Sequence, residues 1–174
     1  MNNPRMLSWD DKPVRKPWSE QLLASVAAAK NTLDLGNPEG FVAGYSTLSL
    51  EHQLKFWAEL LVAIAWRESA WKPTAIYHEP APLGIDSVGL LQLSYEDAVN
   101  YTLEPLDRAA KSLEQPLVNL RCAVVIMASL VSRDKVVASS SRNRHAGGAR
   151  YWSVLRKGHH IVEIQAKVKT ALGL

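Results

Sequence analysis

One glutamate, Glu68, stands in a sequence context that favours acid catalysis. It lies at the end of a long apolar segment, within the string Trp66-Arg67-Glu68-Ser69. The negative end of a helix dipole and apolar surroundings both disfavour a charged carboxylate. A carboxyl group that keeps its proton near neutral pH can protonate a glycosidic oxygen. The context therefore indicates a general acid, with an ion pair to Arg67 or Lys72 at an ordinary helix end as the alternative.

A second motif follows this glutamate at a defined distance. Glu68-Ser69 is followed twenty residues later by Gly89-Leu90-Leu91-Gln92-Leu93-Ser94. The pair resembles the Glu-Ser and Gly-Leu-Met-Gln motifs of the soluble-type lytic transglycosylases, which share a lysozyme-like fold with goose-type lysozymes. Pro116-Leu117-Val118-Asn119-Leu120 resembles the start of that family's Asn-initiated helix behind the cleft. The resemblance covers about residues 45 to 160. It implies cleavage of peptidoglycan glycan strands between N-acetylmuramic acid and N-acetylglucosamine.

The resemblance assigns roles to individual residues of this chain. Glu68 resembles the catalytic acid, Ser69 a group that orients it, and Gln92 a cleft residue that hydrogen-bonds the sugar. Tyr95 is a further candidate for substrate binding. Ser69 as a simple helix cap and Gln92 as a partner of loop backbone stay open as alternatives.

Two departures from the family pattern stand out. Leu91 occupies the position where the family usually has Met, which preserves size and polarity. The family's Tyr-Asn-x-Gly segment, whose Tyr helps to hold the catalytic Glu, has no match in residues 138–150. Tyr151 is our candidate for that hydroxyl, with simple packing beside Trp152 as the alternative.

The number of carboxylates in the cleft bears on the reaction product. Hydrolysis with inversion needs a second group that positions water, whereas a lytic transglycosylase uses the muramyl 6-hydroxyl of its own substrate. Goose-type lysozymes carry an additional Asp in the stretch that contains Asp86, so Asp86 is the tentative second catalytic residue, and Glu79 is the other candidate. The alternative is that Asp86 stabilises the turn before Gly89 by bonding its backbone amides. The sequence favours the transglycosylase slightly over the hydrolytic lysozyme.

These residues need a helical scaffold to bring them together. Helical patterns begin near Trp18 and at Pro116, and the apolar segment predicts a core helix from Leu50 to Ser69. The Pro- and Gly-containing stretch after Trp71 predicts a loop with a small hairpin, and the capping box at Ser94 predicts a short helix. Residues 138–149 are expected to be a loop, with terminal helices over 150–157 and 161–172. We therefore expect a mainly α, lysozyme-like helical domain with at most a small β element.

Composition and length predict one catalytic domain. The 174 residues are 47% hydrophobic and 21% charged, which is typical of a globular protein. We expect an irregular surface leader over residues 1–17 and a single domain over 18–174. The longest apolar run, Leu60 to Trp66, is too short to span a bilayer. The single Cys122, within an apolar segment, is expected to be buried and inert.

Other functional classes have weaker support. Residues 121–174 carry ten Lys and Arg against two acidic residues, but no aromatic-interleaved basic motif accompanies them, so no nucleic-acid partner is expected. His78-Glu79 and His159-His160 lack metal-ligand spacing, and we expect neither metal nor cofactor. A noncatalytic peptidoglycan-binding or assembly protein is the main alternative. We expect a monomer in the periplasm or secreted to the cell wall, with a signal peptide removed or with signal-independent release.

Overall fold

Helices make up most of the regular structure. The computed structural model describes residues 3–141 and 144–174. Within these ranges the helices are α1 (Lys16–Leu33), α2 (Pro38–Phe41), α3 (Leu50–Ser69), α4 (Pro116–Asp134) and α5 (Ile161–Leu172). The strands are β1 (Ile76–His78), β2 (Asp86–Val88), β3 (Ala138–Ser141) and β4 (Arg144–Gly147). They form two antiparallel hairpins, β1–β2 and β3–β4. The prediction of a mainly α fold with little β structure is confirmed.

Helix α3 runs through the core with the bounds that the sequence predicts. The side chain of Ser49 accepts a hydrogen bond from the backbone N–H of His52 and caps the helix. Residues 55 to 65 are all buried, and α1 and α5 pack against them. Ala70 follows the last helical residue with a φ of 50°, so the helix stops there. This helix carries Glu68 to the edge of the core.

Helix α4 forms the second wall of the core. Pro116 occupies its first turn, as predicted, where the missing N–H leaves no helical hydrogen bond unmade. By length and composition this helix could cross a membrane, but more than half of it is buried inside the fold. It packs mainly against α1, so its apolar character belongs to the core.

The segment before α1 lies partly in the core. Leu7 and Trp9 are fully buried, which differs from the surface position expected for residues 1–17. The indole Nε1 of Trp9 donates a 2.7 Å hydrogen bond to Ser19. The buried carboxylate of Glu59 in α3 accepts hydrogen bonds from the N–H and hydroxyl of Ser8. The three prolines and mixed charges of this segment favoured an irregular surface position. They gave no indication that two of its apolar side chains are buried.

Two predictions for the C-terminal third are wrong. Residues 138–149 are not a loop throughout, because Ala138–Ser141 pairs with Arg144–Gly147. Residues 150–157 form no α-helix; one 3-10 turn, Gly148–Arg150, ends at the start of this range, and a second, Ser153–Leu155, lies within it. A helix is difficult to initiate in so short a segment. Side-chain contacts to the rest of the fold hold this segment instead.

Candidate active site

Glu68 lines a cleft of about 650 Å³ at the C-terminal end of α3. Arg67 pairs with Glu163 of α5, and no cation of the described ranges pairs with Glu68. Burial, and secondarily the negative charge of Glu79, raises the pKa of Glu68 to about 7. The ion-pair alternative for Glu68 is therefore wrong, and this carboxyl group can hold a proton at neutral pH.

Ser69 connects the end of α3 to the loop of residues 89–92. Its hydroxyl lies 3.1 Å from the carbonyl oxygen of Ala65 and donates a hydrogen bond to that of Leu90 at 2.9 Å. The first contact belongs to the helix end, and the second reaches across the fold. The backbone of Glu68 is thereby held at a fixed distance from the 89–92 loop.

The 89–92 loop is closed by backbone hydrogen bonds and filled by Asn119. Val88 and Leu93 exchange two backbone hydrogen bonds of 2.7 and 2.9 Å across it. The buried amide of Asn119 donates to the carbonyl oxygens of Val88 and Leu113 and accepts from the N–H of Leu91. A Cβ at Gly89 would lie 2.3 Å from the Asn119 nitrogen, so this position requires glycine. The start of α4 therefore shapes the floor of the cleft.

Gln92 lines the cleft and also bonds the loop. Its Nε2 donates to the carbonyl oxygens of Gly89 at 2.9 Å and Ala75 at 3.1 Å. The φ of Gln92 is 51°, a backbone conformation that residues other than glycine rarely adopt. The alternative of bonding to loop backbone is thus confirmed, and Gln92 is also a lining residue of the cleft.

Tyr151 and Asp97 form a buried pair on the opposite wall. The Tyr151 hydroxyl donates to Asp97 Oδ2 at 2.5 Å, and the backbone N–H of Ser94 donates to the same oxygen at 2.8 Å. Both residues line the cleft. Burial raises the pKa of Asp97 and of Tyr151. The hydroxyl of Tyr151 contacts Asp97, not Glu68, and its ring also packs beside Trp152 as the alternative expected.

Asp97 was not predicted as a cleft residue. The only signal in the sequence is the capping box, in which Ser94 and Asp97 bond each other's backbone N–H groups. That motif fixes the local turn but gives no information on the distant partner Tyr151.

The two candidate second carboxylates lie on different faces of the β1–β2 hairpin. Asp86 is paired in register with His78, contacts its Nδ1 at 2.6 Å, and is absent from the cleft lining. Glu79 lines the cleft and accepts a 3.2 Å hydrogen bond from Ser87. Adjacent residues of a strand point to opposite faces, so Ser87 faces the cleft while Asp86 faces away. The structure places Glu79, and not Asp86, beside Glu68.

Tyr95 also lies outside the cleft lining. Its hydroxyl accepts a 3.2 Å hydrogen bond from the backbone N–H of Leu113, and the guanidinium of Arg108 lies over its ring. The residue therefore supports the loop before α4. The structure gives it no contact with the cleft.

Comparison with known proteins agrees with this geometry. The family model of the transglycosylase SLT domain matches residues 48–150, which include Glu68, the 89–92 loop and Asn119. The chain belongs to the transglycosylase SLT-domain family. No curated protein sequence matches it.

Solved structures with the same architecture are known. The wild-type form of the protein titled Bd0314 DslA superposes with a TM-score of 0.84 at 31% identity, with 97% of each chain covered. A Glu-to-Gln mutant of DslA superposes with a TM-score of 0.81 at 32% identity over 94% of each chain. A second Glu-to-Gln mutant gives a TM-score of 0.77 at 30% identity over 97% of each chain. The lysozyme-like fold class is thus shown over nearly the whole chain.

The cleft of this SLT-domain protein combines acidic and apolar walls. Glu68, Glu79 and Asp97 supply three carboxyl groups, while Tyr77 and Leu83 of the β1–β2 hairpin supply exposed apolar surface. Sugar rings have apolar faces and polar edges, and both kinds of surface are available here. The arrangement suits a polysaccharide and places Glu68, whose pKa is raised to about 7, next to the carboxylate of Glu79.

Proposed function

We propose that this protein cleaves the glycan strand of peptidoglycan between N-acetylmuramic acid and N-acetylglucosamine. The family membership supports peptidoglycan as the substrate class. The observation that carries the catalytic assignment is Glu68, an unpaired carboxyl group with a pKa of about 7 inside the cleft. As the general acid, Glu68 donates its proton to the glycosidic oxygen as the bond to the anomeric carbon breaks.

Glu79 is proposed as the second catalytic carboxylate. Its backbone N–H donates a 2.9 Å hydrogen bond to Ile85, and Ser87 holds its side chain. The two Glu-to-Gln mutants of DslA carry their substitutions eleven positions apart. Glu68 and Glu79 have the same separation. This match supports a joint role for the two glutamates in this chain.

The presence of Glu79 changes the favoured product. The sequence favoured transglycosylation slightly, on the reasoning that a single acid suffices when the muramyl 6-hydroxyl attacks. With a second carboxylate in the cleft, we propose hydrolysis: water attacks the anomeric carbon, Glu79 accepts a proton from that water, and Glu68 protonates the leaving oxygen. Asp86 has no part in this step. Transglycosylation is the competing outcome of the product analysis.

The remaining site residues position these two groups. We propose that Gln92 contacts the sugar's polar substituents, Ser69 holds the backbone of Glu68, and the Tyr151–Asp97 pair fixes the opposite wall. The protein is proposed to act as a monomer, without a cofactor, in the periplasm or at the cell wall.

Digestion of purified sacculi followed by mass spectrometry of the muropeptides tests this proposal. Reducing muramic ends are expected from the wild type, and 1,6-anhydromuramic ends would establish transglycosylation instead. Glu68→Gln should lose activity by ~10³-fold or more, whereas Glu51→Gln at the exposed start of the same helix should not. Absence of products from both acetylated and deacetylated sacculi would overturn the enzymatic proposal and favour a noncatalytic binding protein.

A further inference from the structure

Arg156 lines the same cleft as Glu68. Among the described residues of this lining, the acidic members are Glu68, Glu79 and Asp97, and Arg156 is the one cation. The proposed glycosidic chemistry uses the glutamates and leaves the guanidinium without a role.

The guanidinium is fixed in place without an acidic partner. Its Nε donates to the carbonyl oxygen of Ala149 at 3.0 Å and its Nη2 to that of Arg150 at 3.4 Å. No ion pair to Arg156 exists within residues 3–141 and 144–174. Six other arginines of these ranges do have acidic partners: Arg15, Arg67, Arg108, Arg121, Arg133 and Arg150. Arg156 therefore keeps a full charge and three N–H donors available to a ligand.

The anchoring prepares this side chain for binding. A free arginine loses rotamer freedom when it binds a ligand, whereas two backbone hydrogen bonds have already restricted Arg156. The turn that supplies them is itself held, because Asp134 accepts from the N–H of Gly147 at 2.7 Å and from the guanidinium of Arg150 at 2.6 Å. The planar guanidinium matches the geometry of a carboxylate.

The charges of the cleft determine where an anionic group can bind. Glu79 and Asp97 repel a carboxylate, and only the Arg156 side attracts one. In a peptidoglycan strand the muramic residue carries the acidic groups, either as the lactyl carboxylate of a stem-free strand or as carboxylates of the stem peptide. N-acetylglucosamine carries none. The two kinds of sugar are thus distinguishable by charge at this position.

We propose that Arg156 binds a carboxylate of the muramic residue and thereby sets the register of the glycan strand in the cleft. This inference rests on the proposed glycan-cleaving function and adds a specificity-determining residue to it. The muramic residue lies on the Arg156 side, which selects one of the two kinds of glycosidic bond that alternate along the strand as the bond presented to Glu68. Arg156 is a binding residue and takes no part in proton transfer.

Binding to the Glu68→Gln variant tests the inference without cleavage of the ligand. Four ligands of equal glycan length are compared: a muramyl tetrasaccharide with free lactyl carboxylates, its lactyl amide, the same strand with stem peptides, and neutral chitotetraose. Each is titrated against the Glu68→Gln protein alone and with Arg156→Gln, Arg156→Lys or Arg144→Gln added. Arg144 is an exposed arginine outside the cleft lining and without an acidic partner in the described ranges, so it controls for the loss of one positive charge.

The expected result is a loss of affinity for carboxylate ligands only. Arg156→Gln should weaken such binding by about tenfold, equivalent to ~1.4 kcal/mol, while Arg156→Lys, which keeps the charge but not the planar, anchored guanidinium, keeps only part of the affinity, and Arg144→Gln changes none. A loss for the free lactyl strand identifies the lactyl carboxylate; a loss restricted to the stem-bearing strand identifies the peptide. Equal losses for all four ligands, or none, would overturn the inference.

The cleavage assay separates this failure from failure of the proposed function. If the wild type cleaves sacculi while Arg156→Gln behaves like Arg144→Gln in both KM and kcat, the inference alone is wrong. If the wild type cleaves no sacculi and the Glu68→Gln protein binds no ligand, the proposed function fails and the inference falls with it. A raised KM at constant kcat is the expected signature of Arg156→Gln.

Discussion

The hydroxyl of Ser69 lies 2.9 Å from the carbonyl oxygen of Leu90 and donates a hydrogen bond to it, although the two residues are 21 positions apart. This contact joins the end of α3 to the middle of the 89–92 loop. The residue immediately before Ser69 is the proposed acid, and the residue two positions after Leu90 is Gln92. One buried hydrogen bond therefore fixes the two sides of the cleft relative to each other.

Ser69→Ala is expected to reduce both stability and turnover. The Leu90 carbonyl oxygen loses its side-chain donor, which should lower the free energy of unfolding by about 1–3 kcal/mol. Because the cleft loses its alignment, kcat should fall by about tenfold with a smaller change in KM. Ser132→Ala is the matched control, since the hydroxyl of this helical serine donates only to its own helix, in an exposed contact. Equal effects of the two substitutions in denaturant melts and kinetics would contradict the positioning role.

Gly89→Ala should be severely destabilising. The new methyl group would lie 2.3 Å from the Asn119 nitrogen and 2.3 Å from the backbone oxygen of Leu113. We expect a loss of about 2–4 kcal/mol in the free energy of unfolding. Gly158→Ala is the control: its φ of 84° is similarly positive, but a Cβ there meets no atom within 4 Å. It should lose only the ~1–2 kcal/mol of the left-handed conformation.

Activity should decline as the pH rises through about 7, because Glu68 then loses the proton that it donates. Glu79→Gln removes the negative charge that helps to raise the pKa of Glu68, so the alkaline limb of the remaining activity should move to lower pH. A pH–rate profile of kcat measures this shift. Asp86→Asn, which alters a carboxylate outside the cleft lining, should leave the limb in place. If Asp86→Asn shifts the alkaline limb and Glu79→Gln does not, Asp86 is the second carboxylate.

Glu68→Gln should stabilise the protein at alkaline pH. The pKa of Glu68 is raised from 4.5 to about 7, so the folded state binds the proton more tightly than the unfolded state. The stability of the wild type therefore falls as the pH rises from about 4.5 to 7, while the uncharged Gln shows no such fall. The variant should gain up to about 3 kcal/mol above pH 7 and nothing below pH 4.5. Denaturant melts at pH 4 and pH 8 measure the difference, and a pH-independent gain would contradict the burial of a charged Glu68.

Trp9→Ala should destabilise the fold even though Trp9 precedes the first helix. The indole is fully buried and packs edge-on against Trp18 and Trp71 at centroid distances of 5.6 and 6.3 Å. Its removal should lower the free energy of unfolding by about 3–5 kcal/mol. Val14→Ala, at an exposed side chain of the same segment, should change it little. A small effect at Trp9 would show that residues before α1 are dispensable for the core.

The helical scaffold was predictable because its signals are local. The bounds of α3 follow from the cap at Ser49, the buried apolar run and the left-handed residue Ala70, and all but the last can be identified in the sequence. Glu68 was predictable for the same reason. The substitution of Leu for Met at position 91 also proved harmless to the motif: Leu91 is buried, and its backbone N–H and carbonyl bond Asn119 and Trp152.

The second carboxylate was not predictable, because it depends on the register of a hairpin. A shift by one residue exchanges the two faces of a strand, and the sequence does not specify which of Asp86 and Ser87 points inward. The pairing of His78 with Asp86 decides it in the structure. The Tyr151–Asp97 contact could not be predicted from the sequence either, since it joins residues 54 positions apart.

The side-chain hydrogen bonds to the 89–92 loop have a thermal consequence. Ser69, Asn119 and Trp152 anchor the loop, and each belongs to a different part of the core. The floor of the cleft is therefore expected to loosen only when α3 and α4 separate, because buried hydrogen bonds from both helices hold it. Heating should therefore abolish catalysis and melt the molecule in one transition, and the enzyme should retain a working cleft up to the temperature at which its core is lost.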